Sequence, residues 1–386
     1  MAGLVALALA ASAQAEEGFP KACAKAIDKA VVKEMEKEEV VGLAIGVIED
    51  GRIVYLQGYG YEDRDKGVKV DPRETRYRWA SLSKPLTAIA TMQLVEQGKL
   101  ALSDDARRWV PGFPKKEHAF TVRHLLTHQS GLPNRQPGKV LPKVCEYEVD
   151  HPFADVETAC DKFSESPLLF EPGTKYGYTT LGYILLSAVV LRAGGKPFFE
   201  QVKDRIATPL GMGTLSPDYP WQDIPHRAVG YRWKRKEGVV LTPESDVSWK
   251  LGGGGFLSTV EDLARFAEGV MNDRLVSEET RKAMWTPQKL STGKLTDNGL
   301  GFVIAKDDQG RTKIIHNGSQ EGAATRLMIY PAEKRAVVVM SSSEWAKVTT
   351  FGNLVLDAVR KTAPKAGTKG TRKGAKGRAP AGRRRG

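Results

Sequence analysis

Cysteine is scarce: the 386 residues contain only Cys23, Cys145 and Cys160, with no Cys-x-x-Cys pair. None lies near the serine motif described below, which excludes a thiol nucleophile. An oxidising compartment would permit one disulfide. Cys145 and Cys160, 15 residues apart around a loop-like segment, are the natural pair; three unpaired buried thiols are the other arrangement. Charge is missing from residues 1–15, and acid is missing from residues 361–386, which hold ten of the 58 Lys and Arg. The formal charge of +12 is therefore terminal, and residues 16–360 carry 48 bases against 46 acids. Such a body is not that of a nucleic-acid-binding protein, and no aromatic is interleaved with the terminal basic residues to stack on bases. Beyond the leader no segment reaches membrane-spanning length, and there is no internal repeat.

What is present at the ends is addressing. Gly3 to Ala13 is an apolar run too short to span a bilayer, followed by Ala13-Gln14-Ala15 and Glu16-Glu17, so residues 1–15 are expected to be a cleaved signal peptide. Residues 361–386, built of Gly, Ala, Pro, Thr, Lys and Arg, bury too little to order themselves and are expected to be a disordered basic tail that adheres to an anionic surface.

Between them, residues 19–38 form a charged amphipathic helix leading into two apolar runs separated by Asp50-Gly51, a β-hairpin signal. Further strands are expected at 300–305, 312–315, 325–330 and 336–340, with a last helix at 349–360. The middle of the chain has helical patterning at 84–97, 122–126, 156–164, 180–193, 197–206 and 259–271. Strands at both ends and helices between predict an α+β fold: one antiparallel sheet drawn from both termini (about 19–70 and 296–360), a helical lobe (about 71–295), and a site between them.

The chemistry centres on Trp79-Ala80-Ser81-Leu82-Ser83-Lys84. Residues three apart share one helix face, so Lys84 stands beside Ser81. A lysine desolvated between lobes loses its proton near neutral pH and becomes a base. A serine at a helix N-terminus meets free N–H groups that stabilise developing negative charge. Taken alone, Ser81 or Ser83 serves equally well as a cap for the helix that continues through Pro85.

Further segments accompany it: Arg78-Trp-Ala-Ser-Leu-Ser-Lys-Pro85, His124-Leu-Leu-Thr-His-Gln-Ser-Gly-Leu-Pro133, Glu171-Pro-Gly-Thr-Lys-Tyr-Gly-Tyr178, Gly252-Gly-Gly-Gly-Phe-Leu-Ser-Thr-Val-Glu-Asp-Leu263 and His316-Asn-Gly318. In this order they resemble the serine β-lactamase and D,D-peptidase superfamily, in its class C β-lactamase-like branch, over residues 25–360. Ser166 to Thr174 and the glycine block look especially like the mitochondrial serine β-lactamase-like members, whereas the leader and tail point to a bacterial exported relative, periplasmic or secreted. The resemblance implies a β-lactamase/transpeptidase-like fold, an acyl-enzyme on Ser81, and no cofactor. It maps the family's Tyr-x-Asn onto Tyr178-Thr179-Thr180, with Thr180 replacing the amide and Tyr176 as the nearest wrong choice. The Lys-Thr-Gly motif maps onto His316-Asn317-Gly318, where Gly318 lets the substrate backbone approach. The N–H of Ser319 would complete an oxyanion hole with that of Ser81. Thr180, Asn317, Gly318 and Ser319 are the expected substrate-binding residues.

Two motifs are declined. His124 and His128 lack the Glu after the first His that a metalloprotease helix needs, so no metal is expected. Gly252 to Gly255 is followed by no Gly-Lys-Ser or Gly-Lys-Thr, which leaves backbone crowding near the cleft, with Trp249 and Phe256 expected to line the pocket and residues 134–151 to form a loop over it. The leading function is an exported peptidase or amidase acting on small or D-residue-ended cell-wall peptides. Carboxylesterase, weak β-lactamase and a non-catalytic surface-binding protein follow as alternatives.

Overall fold

The computed structural model describes residues 14–15, 19–134 and 140–362. Most of the expected leader, the expected tail after Thr362, and part of the expected loop over the site lie outside the described residues.

Helix α1 (Lys21–Glu38) buries Cys23, Ala24, Ile27, Val31 and Met35, spaced three and four apart so that they form one stripe. It ends at Glu39, which turns the chain at φ 54°. Strands β1 (Gly42–Glu49) and β2 (Arg52–Asp63) form the hairpin around Asp50-Gly51. The second set follows much later: β3 (Val303–Lys306), β4 (Thr312–Gln320), β5 (Ala323–Tyr330) and β6 (Arg335–Ser341). They join as one antiparallel sheet in the order β2-β1-β6-β5-β4-β3, with Val47 opposite Val337 where the two halves of the chain meet, and Gln14–Ala15 pairing on the outside of β2. The sheet drawn from both termini is thus present.

Alternation along the strands supplies two hydrophobic faces. Leu43, Ile45 and Val47 pack with Ile27 and Val31 of α1 and with Phe351 and Val355 of the last helix, Val348–Thr362. Ala44, Ile48, Leu327 and Val338 face the other way into the main core, against the helix Val260–Met271. That helix lies so close that a Cβ on Gly46 would come within 3.1 Å of Ala264 Cβ. The central helices Ser83–Glu96 and Thr180–Gly194 are nearly all buried.

Several expected elements differ. The stretch around 156–164 forms 3₁₀ turns, Pro152–Ala154 and Thr158–Lys162, because the Asp155 carboxylate captures the Glu157 and Thr158 amides. The helix expected at 197–206 closes early, at Phe198–Val202, and widens into a π turn at Lys203–Ala207. The 300–305 strand begins only at Val303, after Gly301 adopts φ 86°. By contrast β4 runs five residues past Ile315, straight through the Asn-Gly pair. All three cysteines are free: Cys23 and Cys160 are buried while Cys145 is exposed. The expected 145–160 bridge is absent because Cys160 turns inward onto the Val156 carbonyl and Cys145 outward by the Asp161 carboxylate.

Candidate active site

The nucleophile's position is set by what precedes it. Tyr77–Arg78 pairs with Phe256–Ser258, and the wholly buried Trp79 donates from its backbone to the Phe256 carbonyl (2.8 Å) and from its indole to Ser258 Oγ (2.7 Å). Ala80 then turns at φ 47°, an uncommon angle for a residue with a Cβ, and the chain enters a 3₁₀ turn, Ala80–Leu82, that runs into Ser83–Glu96. Ser81 is left half-buried at the head of the helix. Arg78 anchors this approach, bonding the buried Asp218 carboxylate (2.6 Å), Ser245 Oγ (2.9 Å) and the Glu321 carbonyl in the β4–β5 turn (3.0 Å).

Lys84, one turn on, is fully buried. Its Nζ lies 3.0 Å from Ser81 Oγ, 3.2 Å from Thr180 Oγ1 and 2.7 Å from the Gly253 carbonyl. Burial lowers its pKa to about 7. A neutral amine has two N–H donors and one lone pair, which match the carbonyl, the threonine and the serine proton in turn. The glycine block explains how that carbonyl arrives: a Cβ on Gly252 would come within 2.5 Å of Ser187 Cβ, and one on Gly253 within 2.7 Å of Thr180 Cγ2. Backbone crowding is therefore its role. The partnership of the Gly253 carbonyl with Lys84 had no sequence signal.

Tyr178 Oη donates to Ser81 Oγ at 2.9 Å, and burial raises its pKa to about 12 even though the serine bond works the other way. Tyr176 instead turns toward Asn298. Beneath Tyr178 is His128, with ring centroids 4.5 Å apart. His128 Nδ1 accepts the Thr179 N–H (3.2 Å), and its carbonyl accepts the Gly177 N–H (2.8 Å). Burial, with Lys84 and His316 nearby, holds it neutral. The His124–Pro133 segment thus packs the tyrosine into place. His124 Nδ1 accepts from Thr121 N–H in a capping box, and no group of three potential ligands for a metal occurs among the described residues.

Strand β4 brings His316 to the other side. It is 6% exposed, and burial together with Lys84 lowers its pKa to about 3, so the imidazole is neutral. The following side chain faces the opposite surface of the sheet: Asn317 Oδ1 accepts from Arg326 (2.7 Å), a buried guanidinium also bonded to Thr349 in the last helix. Asn317, expected among the substrate-binding residues, therefore has its amide oxygen committed within the sheet. Gly318 carries a constraint from within the protein. The space its missing Cβ leaves is filled by Thr325 Oγ1 (2.2 Å) and the Trp79 carbonyl (2.5 Å), so the glycine admits the nucleophile's own turn. Pairing with β3 stops at Ile315, which leaves the edge of 316–320 away from β5 without a strand partner among the described residues, with Ser319 exposed.

Phe256 does not line a pocket: it is wholly buried against Phe198 and Phe199. Trp249 is partly buried, 5.5 Å from Lys162 Nζ and 5.9 Å from Lys250 Nζ. At the end of the 134–151 loop, His151 stacks on Trp221 at 3.6 Å.

A serine bonded by a buried lysine and a tyrosine, beside an unpaired strand edge, can be set against known proteins. The family model described as Beta-lactamase matches residues 27–350. The chain belongs to the beta-lactamase family. It is 31% identical over 394 residues to the mitochondrial serine beta-lactamase-like protein LACTB of Mus musculus, covering 77% of this chain and 71% of that protein. To penicillin-binding protein 4* of Bacillus subtilis it is 29% identical over 328 residues, covering 80% and 69%. Among solved structures, the octameric penicillin-binding protein homologue from Pyrococcus abyssi matches with a TM-score of 0.73 and 25% identity, covering 88% of this chain and 77% of that one. The D-amino acid amidase from Ochrobactrum anthropi shares the fold, with a TM-score of 0.73 at 22% identity, covering 88% and 99%. The beta-lactamase-family assignment makes the chain a serine hydrolase of β-lactamase/transpeptidase-like fold.

Proposed function

We propose that this serine hydrolase is an exported peptidase or amidase, periplasmic or secreted, that cleaves small or cell-wall peptides through an acyl-enzyme on Ser81. The observation that carries the reading is the convergence on Ser81 Oγ of Lys84 Nζ at 3.0 Å and Tyr178 Oη at 2.9 Å. Neutral Lys84 takes the hydroxyl proton as Oγ bonds to the scissile carbonyl carbon. The oxyanion is held by the N–H groups of Ser81 and Ser319. The proton passes through Tyr178 to the leaving nitrogen as the C–N bond breaks. Water then attacks the ester carbonyl and gives up a proton to the Lys84–Tyr178 pair, which delivers it to Ser81 Oγ as the Oγ–C bond breaks. Neutral His316 polarises the tyrosine, and Thr180 keeps Lys84 aligned. The relatives' names, a penicillin-binding protein and a D-amino acid amidase, support an amide carbonyl as the target. No described helix is long and apolar enough to cross a membrane, and export is inferred from the leader's composition.

The test is a parallel screen of purified protein and Ser81→Ala against D-Ala-D-Ala peptides, p-nitrophenyl esters and a chromogenic cephalosporin. Turnover of the peptides, lost in the variant, is expected. Faster turnover of esters than of every peptide, with the same dependence on Ser81, would instead make it a carboxylesterase.

A further inference from the structure

We infer that Arg78, oriented by Asp218, is a positioning residue that sets the separation of the two oxyanion-hole donors, the N–H groups of Ser81 and Ser319. The role rests on the acyl-enzyme reading of Ser81.

The two donors belong to distant parts of the chain. Ser81 lies in the 3₁₀ turn Ala80–Leu82, just after Arg78, while Ser319 lies near the end of β4. They meet where β4 touches that turn: a Cβ on Gly318 would stand 3.1 Å from Ala80 Cβ. Glu321 and Gly322 close β4 onto β5 as a two-residue turn, with Gln320 opposite Ala323 and Gly322 at φ 65°. Gln320 therefore exchanges backbone bonds with Ala323. By alternation Ser319 turns its N–H away from β5, to the edge that has no strand partner among the described residues. A hairpin end paired on one side only can swing relative to Ser81 unless something else holds it.

Arg78 holds it. Its Nη1 donates to the Glu321 carbonyl at 3.0 Å and to Ser245 Oγ at 2.9 Å, while Nη2 donates to the Ser245 carbonyl at 3.1 Å. One guanidinium thus joins the approach to the nucleophile to the tip of the hairpin that carries the second donor. Its angle is fixed by the wholly buried Asp218, whose carboxylate accepts from Nε at 2.6 Å and also pairs with Arg227. Asp218 is pinned in turn by its own N–H, which donates to the Gly255 carbonyl at 2.8 Å. Neighbouring bonds do not replace this tie. Thr325 Oγ1 reaches the Trp79 carbonyl (2.9 Å) from within β5, and Glu344 accepts the Gly322 N–H (3.1 Å) from the segment after β6, which does not carry Ser81. Donors must hold their geometry within about 0.5 Å, so a tip free to shift loses transition-state stabilisation while ground-state binding is kept.

Two esters read the donors out: p-nitrophenyl acetate and its thiono analogue, in which sulfur replaces the carbonyl oxygen. Well-placed N–H donors favour the oxygen, because sulfur is the weaker acceptor and sits on a longer bond. In the full chain, Arg78→Lys keeps a cation for Asp218 but lacks the planar fork that reaches Glu321 and Ser245 together. It should lower kcat on the acetate by about 10–10²-fold with KM within about threefold, and lower the oxygen-to-sulfur ratio of kcat/KM by at least about fivefold. Asp218→Asn should shift both in the same direction; if it does not fold, Arg78→Lys decides alone. A wild-type ratio in either folded variant overturns the proposal and leaves the pair a support of the fold, whatever the change in kcat or melting temperature. The underlying reading fails separately, if Ser81→Ala hydrolyses the acetate as fast as the wild type.

Discussion

Lys84 Nζ lies 2.7 Å from the Gly253 carbonyl, a bond that accepts a proton-bearing nitrogen in either charge state, while nothing acidic holds the charged form. The lysine is therefore poised by burial alone, at about 7. For a base that must be neutral, kcat/KM rises with pH through about 7 and levels off above it. Lys84→Ala and Ser81→Ala should each reduce hydrolysis to near background, and the double variant should be no worse, because the pair acts as a unit. Additive losses would separate their roles.

The same burial has a stability signature. With the folded pKa lowered from 10.5 to about 7, the unfolded chain binds more protons between those values. The cost of burying Lys84 is thus fully present below pH 7 and disappears as pH rises toward 10.5. Lys84→Met, similar in volume and uncharged, should be inactive yet melt higher than the wild type at pH 6–7, with the gap closing toward pH 10. Calorimetry across that range checks the sign.

His316 titrates far below its ordinary range because it is buried beside Lys84. It should contribute no pH limb between 5 and 8. His316→Gln is expected to lower kcat while leaving the limb near 7 in place. Disappearance of that limb in the variant would transfer the titration to the histidine.

Tyr178→Phe removes the Oη bond to Ser81 and should cost about 10²–10⁴-fold in kcat, with KM much less affected. Tyr176→Phe, two residues away and turned toward Asn298, should stay within about threefold. Steady-state kinetics on one ester suffices for both.

Much of this arrangement was legible in the sequence where local rules apply. A three-residue spacing on a helix is enough to put Lys84 beside Ser81, and alternation with a turn signal is enough for the 42–63 hairpin. What was not legible depends on contacts between distant segments. Nothing in the residues around Gly253 says that its carbonyl meets Lys84, 169 positions away. Nor does any local pattern place His128 under the Tyr178 ring, 50 positions away. The bond from Arg326 to the Asn317 amide oxygen was not legible either, because it depends on the register between neighbouring strands.

Gly318 sharpens that point into a last prediction. Sequence reasoning gives its missing side chain to the substrate, whereas the structure gives the space to the protein: a Cβ would stand 2.5 Å from the Trp79 carbonyl, 2.2 Å from Thr325 Oγ1 and 3.1 Å from Ala80 Cβ. The Trp79 carbonyl is held by Thr325 Oγ1 at 2.9 Å and by the Leu82 N–H at 3.0 Å, the latter closing the turn that carries Ser81. One methyl group must therefore move either β4 or the nucleophile's turn, a strain of about 1–3 kcal/mol. Gly318→Ala should destabilise the fold by that order and reduce kcat by more than about tenfold, even on p-nitrophenyl acetate, which is too small to touch a methyl group across the cleft. If acetate hydrolysis is preserved and only larger peptides are rejected, the glycine serves the substrate after all.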